Sequence, residues 1–193
     1  MVPVGTPLGA GQVWDVNGTA LPALVRAAGA EPVSCVHVGD DREETVHAVR
    51  AAVQSADAVF TSGGVSMGPH DHLRPALARV DATEVFWGVG IRPGHPLWLG
   101  AVGDVPVLAL PGNPVSSVVC FLVFGRALLG CADPWVMLPL AAEWRPQTPR
   151  TDLIRCTLTD AGLSPAQRQS SQDITSLAAA THIAAVPPGS DTL

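Results

Sequence analysis

Between Asn17 and Ala30 the apolar positions Leu21, Leu24, Val25 and Ala28 recur with a helical period, and Gly29 stands where such a helix can close. Val33 to Val38 reads as a short strand. Asp40-Asp41 follows; Asp41 can cap a helix running to about Ser55, with Glu44 three residues on as in a capping box. Asp57-Ala58-Val59-Phe60-Thr61 predicts a second, buried strand, which runs into the glycine loop Ser62-Gly63-Gly64-Val65-Ser66-Met67-Gly68. A helix fits from about Asp71 to Val80, and a third strand from Glu84 to Ile91. Pro96 to Ala101 and Val105 to Leu110 form a β pair around the turn Gly103-Asp104. Leu110-Pro111-Gly112 then enters a long apolar helix from Asn113 to Gly130, with Pro114 at its first position, where a missing N–H is harmless.

Alternating strands and helices imply an α/β, three-layer, doubly wound sheet, mostly parallel, with helices on both faces. Ligands bind such sheets at the carboxyl ends of strands. The Asp40 turn, the glycine loop and the Pro111–Pro114 turn all fall at such ends. Past Ala132 the pattern changes: Pro134, Pro139, Pro146 and Pro149 punctuate a linker, and Thr151–Leu158 and Ile183–Val186 read as strands of a small β unit. The expected division is an α/β domain at 1–132, a Pro-rich linker at 133–150 and a small C-terminal β domain at 151–193. Residues 1–15 read as an entry loop.

Composition narrows the function classes. Of the 193 residues 47% are hydrophobic and 15% charged, enough to bury a core. The net charge of −6 argues against a nucleic-acid partner, though a local site can still oppose the global charge. All 11 basic residues are Arg, so every fixed positive charge in a site must be a guanidinium, which suits bidentate oxyanion recognition. The four cysteines form no CxxC pair and read as free thiols of a reducing compartment. The longest apolar run, Val115 to Leu129, is too short and too polar to span a bilayer, and no leader pattern opens the chain; a cytoplasmic enzyme without a membrane partner is expected.

Four constellations carry candidate chemistry, each with a structural alternative. In Ser62–Asp71, glycines Gly63, Gly64 and Gly68 let backbone N–H groups approach an anion, and Ser62 and Ser66 add neutral donors; alternatively the glycines only turn and Asp71 only caps a helix. In Leu110–Ser117, Gly112 and the helix start offer an oxyanion site, with Ser116 and Ser117 in the first turn; alternatively Asn113 simply caps the helix that Pro114 begins. Asp40 beside Asp41 can hold Mg²⁺ through one or two oxygens, since capping needs only one of them. In Ile91–Pro96, Arg92 offers charge for a phosphate or other oxyanion and His95 a titratable donor; a solvated turn is the alternative. A His70/His72 metal site is disfavoured because no third ligand has suitable spacing, and no GxSxG elbow supports a hydrolase triad.

In this order the pieces resemble the MoeA family of molybdopterin molybdenumtransferases, which includes the E domain of gephyrin-type proteins. The resemblance runs through Gly11-Gln12-Val13-Trp14-Asp15-Val16-Asn17, Asp40-Asp41, the SGGVSxGxxD loop at 62–71, Arg92–Pro96, LPGNPVS at 110–116 and Ser170–Thr181, nearly the whole chain. It implies a MogA-like molybdopterin-binding domain followed by a small β domain like the family's last. The implied reaction is Mg²⁺-dependent insertion of molybdate into adenylylated molybdopterin with release of AMP, in a cytoplasmic homodimer. By position, Asp40 and Asp71 match the functional, metal-coordinating acids. Ser62, Gly63, Gly64, Ser66, Gly68, Arg74, Arg92, His95, Pro111, Gly112, Asn113, Pro114, Ser116 and Ser171 match positions around the pterin and oxyanion.

Departures are also visible. Where the family carries three lysines this chain has Gly88, Arg92 and His95, and the lysine after the loop aspartate is Arg74. The family places further domains before Met1, and with them a first strand of this same α/β domain and its TGDE motif. A fragment or degenerate relative is therefore expected, with apolar surface left for a second copy or another chain to cover. Two alternative functions stay open: MogA-like adenylyl transfer to molybdopterin, and pterin binding without turnover.

Overall fold

The structure is a computed structural model and describes residues 1–66, 71–146 and 148–189. Its first sheet contains β1 (Val59–Ser62), β2 (Thr83–Trp87), β4 (Trp98–Val102) and β5 (Val105–Leu110), in the order β1-β5-β4-β2. The strands alternate their side chains between two cores, as a sheet covered on both faces must. Val59, Trp98, Val107 and Ala109 face α2 (Arg42–Ser55) and α3 (Leu73–Arg79). Phe60, Leu99, Leu108 and Leu110 face α1 (Asn17–Ala27) and the helix that begins as α4 (Pro114–Cys120). That helix passes through one π-helical turn, Phe121–Gly125, into α5 (Arg126–Leu128). Phe121 meets Phe60 edge-to-face at 5.2 Å between ring centroids. Asp41 caps α2 as expected, its Oδ1 accepting from Glu44 N–H at 2.9 Å.

Two expectations are corrected. The sheet is mixed: only β1 and β5 run parallel, while β4 is antiparallel to both of its neighbours. The hairpin around Gly103-Asp104 is the cause, since a direct two-residue turn can join only antiparallel strands. Val33–Val38 is not a strand. Strand structure exists through pairing, and this segment has no strand partner among the described residues, leaving Val33 and Val36 exposed.

The C-terminal residues form a second sheet that reaches back into the first unit. β6 (Thr151–Thr159) pairs antiparallel with β7 (Gly162–Pro165) and β8 (His182–Val186), and parallel with the short β3 (Ile91–Arg92). Leu153 of β6 shares a small core with Val115 and Val119 of α4, and Leu177 of α6 (Ile174–Ala179) packs on it. Ile91-Arg92 is thus held at the seam between the two sheets. Among the described residues no helix is long and apolar enough to cross a membrane.

Candidate functional site

The parallel pairing of β1 with β5 brings the two loop motifs together. Ser62 is level with Leu110 at the carboxyl ends of the two strands, and Gly63 N–H donates to Leu110 O at 3.0 Å. Gly63 and Gly112 face each other so closely that a Cβ on Gly112 would lie 3.4 Å from Gly63 Cα. Gly63 and Gly64 also take φ of +87° and +70°, the region open to glycine at no steric cost. Asn17, at the start of α1, ties the loops together. Its Nδ2 donates to Ser62 Oγ at 2.6 Å and to Gly112 O at 2.8 Å, from a side chain that is buried with Oδ1 unpartnered. Pro111 is buried beneath this junction.

The two structural alternatives for the motif polar groups are not how the fold uses them. Helix α3 begins at Leu73 with His72 in the cap position, so Asp71 does not cap it. Asn113 stands at the cap of α4 but makes no side-chain cap bond; its Nδ2 donates instead to Ser171 Oγ at 3.1 Å, across to the C-terminal sheet. Ser171 is carried there by a loop built on Arg155. That guanidinium is fully buried and donates to Ser176 Oγ at 2.9 Å, Arg168 O at 3.1 Å and Ser170 O at 3.2 Å. Burial pulls its pKa below the ordinary guanidinium value, opposed by the charge of Asp173.

Two openings take in seven of the expected site residues, while Ser62, Gly63, Gly64, Pro111, Gly112, Asn113 and Pro114 line neither. A cavity of about 460 Å³ lies along the seam, and Arg92, His95, Ser116, Arg150, Asp152 and Ser171 are among its lining residues. A second cleft, about 550 Å³, lies beside the glycine loop and includes Ser66, Asp71, Arg74, Glu84 and Trp98. Arg74 stacks 4.6 Å over Trp87 and pairs with Glu84 at 3.5 Å, while Glu84 also accepts from Trp98 Nε1 at 2.5 Å. Asp40 is exposed and lines neither opening. Gly68 and His70 lie outside the described residues.

In the seam cavity Arg92 faces a carboxylate. Its Nε is 3.0 Å from Asp152 Oδ1 and its NH2 3.1 Å from Oδ2, and Asp152, only 1% exposed, also accepts from Trp144 Nε1 at 2.9 Å. His95 Nδ1 lies 2.8 Å from the carbonyl of Val89. A carbonyl only accepts, so Nδ1 carries the proton and a neutral His95 presents a lone pair at Nε2. Asn17, Trp144, Arg150 and Asp152 escaped sequence reasoning as site residues. Arg150, Asp152 and Trp144 reach the site only through the β3–β6 pairing, which no local pattern announces. Asn17 ends the Gly11–Asn17 motif, a signal that was present.

Among the described residues no cluster of three or more His, Cys, Asp or Glu side chains is placed to hold a metal. Single carboxylates such as Asp71 and Asp40 do not cage Zn²⁺ or Ca²⁺. They do fit Mg²⁺, which keeps water and takes the rest of its shell from substrate phosphates.

A mixed α/β sheet with two glycine-bearing loops converging at the carboxyl ends of parallel strands is the layout of α/β domains whose ligands sit at strand ends. Comparison with known proteins specifies the family. The model of the family described as probable molybdopterin-binding domain matches residues 1–130, and the chain belongs to that family. It is 38% identical over 140 residues to molybdopterin molybdenumtransferase 2 of Mycobacterium tuberculosis, an alignment covering 68% of this chain and 35% of the relative. The molybdopterin molybdenumtransferase of Synechococcus elongatus is 34% identical over 204 residues, covering 100% of this chain and 50% of the relative. A crystal structure of the molybdopterin biosynthesis MoeA protein from Pyrococcus horikoshii superposes with a TM-score of 0.77 at 26% identity, over 96% of this chain and 47% of that one. The chain thus spans a third to a half of the length of these curated relatives.

Proposed function

We propose that this chain supplies the pterin- and oxyanion-binding core of a molybdenum transferase, inserting molybdate into adenylylated molybdopterin with release of AMP. The observation that carries the proposal is the single junction made by the glycine loop, the Pro111–Pro114 turn and Ser171, tied by Asn17 and Asn113. In this reading the glycine-loop backbone binds pterin phosphate through Gly64, whose N–H is unshielded by a Cβ, while the Gly63 N–H is committed to Leu110 O and fixes the loop to the sheet. Ser116 and Ser171 orient the oxyanion in the seam cavity. Asp71, with Asp40, would hold Mg²⁺, whose charge would offset that of the phosphoanhydride. The reaction would run in a cytoplasmic homodimer, as the family resemblance implies. The test is AMP release from adenylylated molybdopterin with molybdate and Mg²⁺ present. Turnover is expected to depend on both additions and to fall at least tenfold in Asp71→Ala; undiminished turnover in that variant refutes the mechanism.

Binding without turnover is favoured by one observation: the Arg92 charge is already matched by Asp152. It predicts saturable pterin binding with no AMP release in the same assay.

A further inference from the structure

We propose that Arg155 is a positioning residue: its buried guanidinium sets the turn at Ser170–Asp173 and so holds Ser171 against Asn113, joining the C-terminal sheet to the Pro111–Pro114 turn. What the positioning serves rests on the molybdenum-transfer reading. The positioning itself rests on the hydrogen bonds of the loop.

Arg155 lies in β6 with its side chain wholly out of solvent, and it takes part in no ion pair among the described residues. A guanidinium buried without a carboxylate beside it is costly, and its NH1 has no hydrogen-bond partner among the described residues. An apolar side chain of similar volume would fill the same space without that cost. What the guanidinium does is grip one loop on both sides of Ser171. Its NH2 donates to Arg168 O at 3.1 Å and to Ser170 O at 3.2 Å, ahead of Ser171, and its Nε donates to Ser176 Oγ at 2.9 Å, behind it. Ser176 Oγ in turn donates to Asp173 O at 2.7 Å. Ser170 O also accepts from Asp173 N–H at 3.2 Å, which closes a four-residue turn with Ser171 at its second position. Gln169 fastens the same loop to the Arg155 backbone, its Oε1 accepting from Arg155 N–H at 3.0 Å and its Nε2 donating to Arg155 O at 2.9 Å. The bond from Asn113 Nδ2 to Ser171 Oγ, 3.1 Å long, is exposed, and one exposed hydrogen bond is too weak to order a loop by itself. The order comes from Arg155 beneath it. A lysine there would keep the charge, but its single nitrogen cannot span the carbonyls and the hydroxyl that the guanidinium reaches through two.

The test uses the full chain in Arg155→Met and Arg155→Lys, beside Ser171→Ala. With no ligand present, NMR of the Asn113 side-chain amide reads the bond to Ser171, and Ser171→Ala marks the unbonded position of that signal. Arg155→Met is expected to fold with its Asn113 signal moved to the unbonded position, and Arg155→Lys to fall between. With adenylylated molybdopterin, molybdate and Mg²⁺, Arg155→Met is expected to lower kcat/KM for AMP release on the order of ten- to a hundredfold. The same substitution made in Ser171→Ala is expected to change it by less than about twofold, because its effect passes through Ser171. A merely structural arginine would impose equal losses in both backgrounds. That result, or an Asn113 signal left at the parent position, overturns the proposal and leaves the transfer reading standing. If Arg155→Met does not fold, Arg155→Lys carries the same two readouts. A parent that releases no AMP overturns the transfer reading, and the Asn113 signal then decides the positioning alone.

Discussion

Burial makes two thiols of this protein sensitive to alkali in a way that few other groups in the chain can mask. Cys120 is fully buried between α4 and the Gly94 turn, and burial pushes its pKa from 9.0 up to about 12. Cys156, buried in β6, is pushed up to about 11 by the same cause. Below pH 9 both thiols are protonated in the folded and unfolded chain, and the fold gains or loses nothing from them. As pH rises past 9 the unfolded chain ionises first and binds fewer protons than the folded one, so stability falls, and continues to fall until the folded thiols themselves ionise near 11 and 12. At pH 11 the pH lies about two units above the unfolded thiol pKa, which corresponds to a loss of about 2–3 kcal/mol from Cys120. The chain contains no lysine and no tyrosine, so the other side chains that usually titrate in this window are absent. Urea unfolding, followed by tryptophan fluorescence under reductant at pH 7.5, 9, 10 and 11, measures the effect in the parent and in Cys120→Ala. The variant carries a pH-independent packing loss of about 1 kcal/mol, and its stability is expected to decline between pH 9 and 11 by about 2–3 kcal/mol less than that of the parent. Parallel declines would show that Cys120 ionises in the fold as readily as out of it, and would refute the reasoning.

Two further outcomes follow from the seam. Gly94 takes φ +109°, and a Cβ there would run into Cys120 Sγ and lie 3.1 Å from Ile91 Cδ1; Gly94→Ala is expected to cost about 2–4 kcal/mol through strain and overpacking, read as a fall in melting temperature of roughly 5–15 °C. The ion pair beneath the cavity should respond unequally to its two halves, because Asp152 is 1% exposed and the Arg92 side chain 35%. Arg92→Gln, which strands a buried carboxylate, is expected to cost about 3–5 kcal/mol, whereas Asp152→Asn leaves a guanidinium that water can reach and should cost less while tightening oxyanion binding; equal losses by urea unfolding would contradict this.

What the sequence made legible was whatever a local pattern controls. Asp41 with Glu44 specifies the start of α2, and Val107 to Leu110 alternates between two cores as its period-two sequence requires. The glycine loop and the Pro-Gly-Asn-Pro turn were legible as motifs, and their meeting followed once both lay at strand ends. Val33–Val38 misled because a strand-like pattern states which face would be buried and says nothing about whether a partner is at hand. The most consequential omission was Asp152. In the sequence it is one acidic residue in a β run, yet its strand pairs with Ile91-Arg92 from sixty residues earlier and so sets the charge balance of the cavity. Reading Arg92 alone assigns the site a cation that the fold has already neutralised. The motif brings Arg92 to the cavity, but a non-local backbone pairing decides which carboxylate its guanidinium faces, and the electrostatics of such a cavity must be taken from its register.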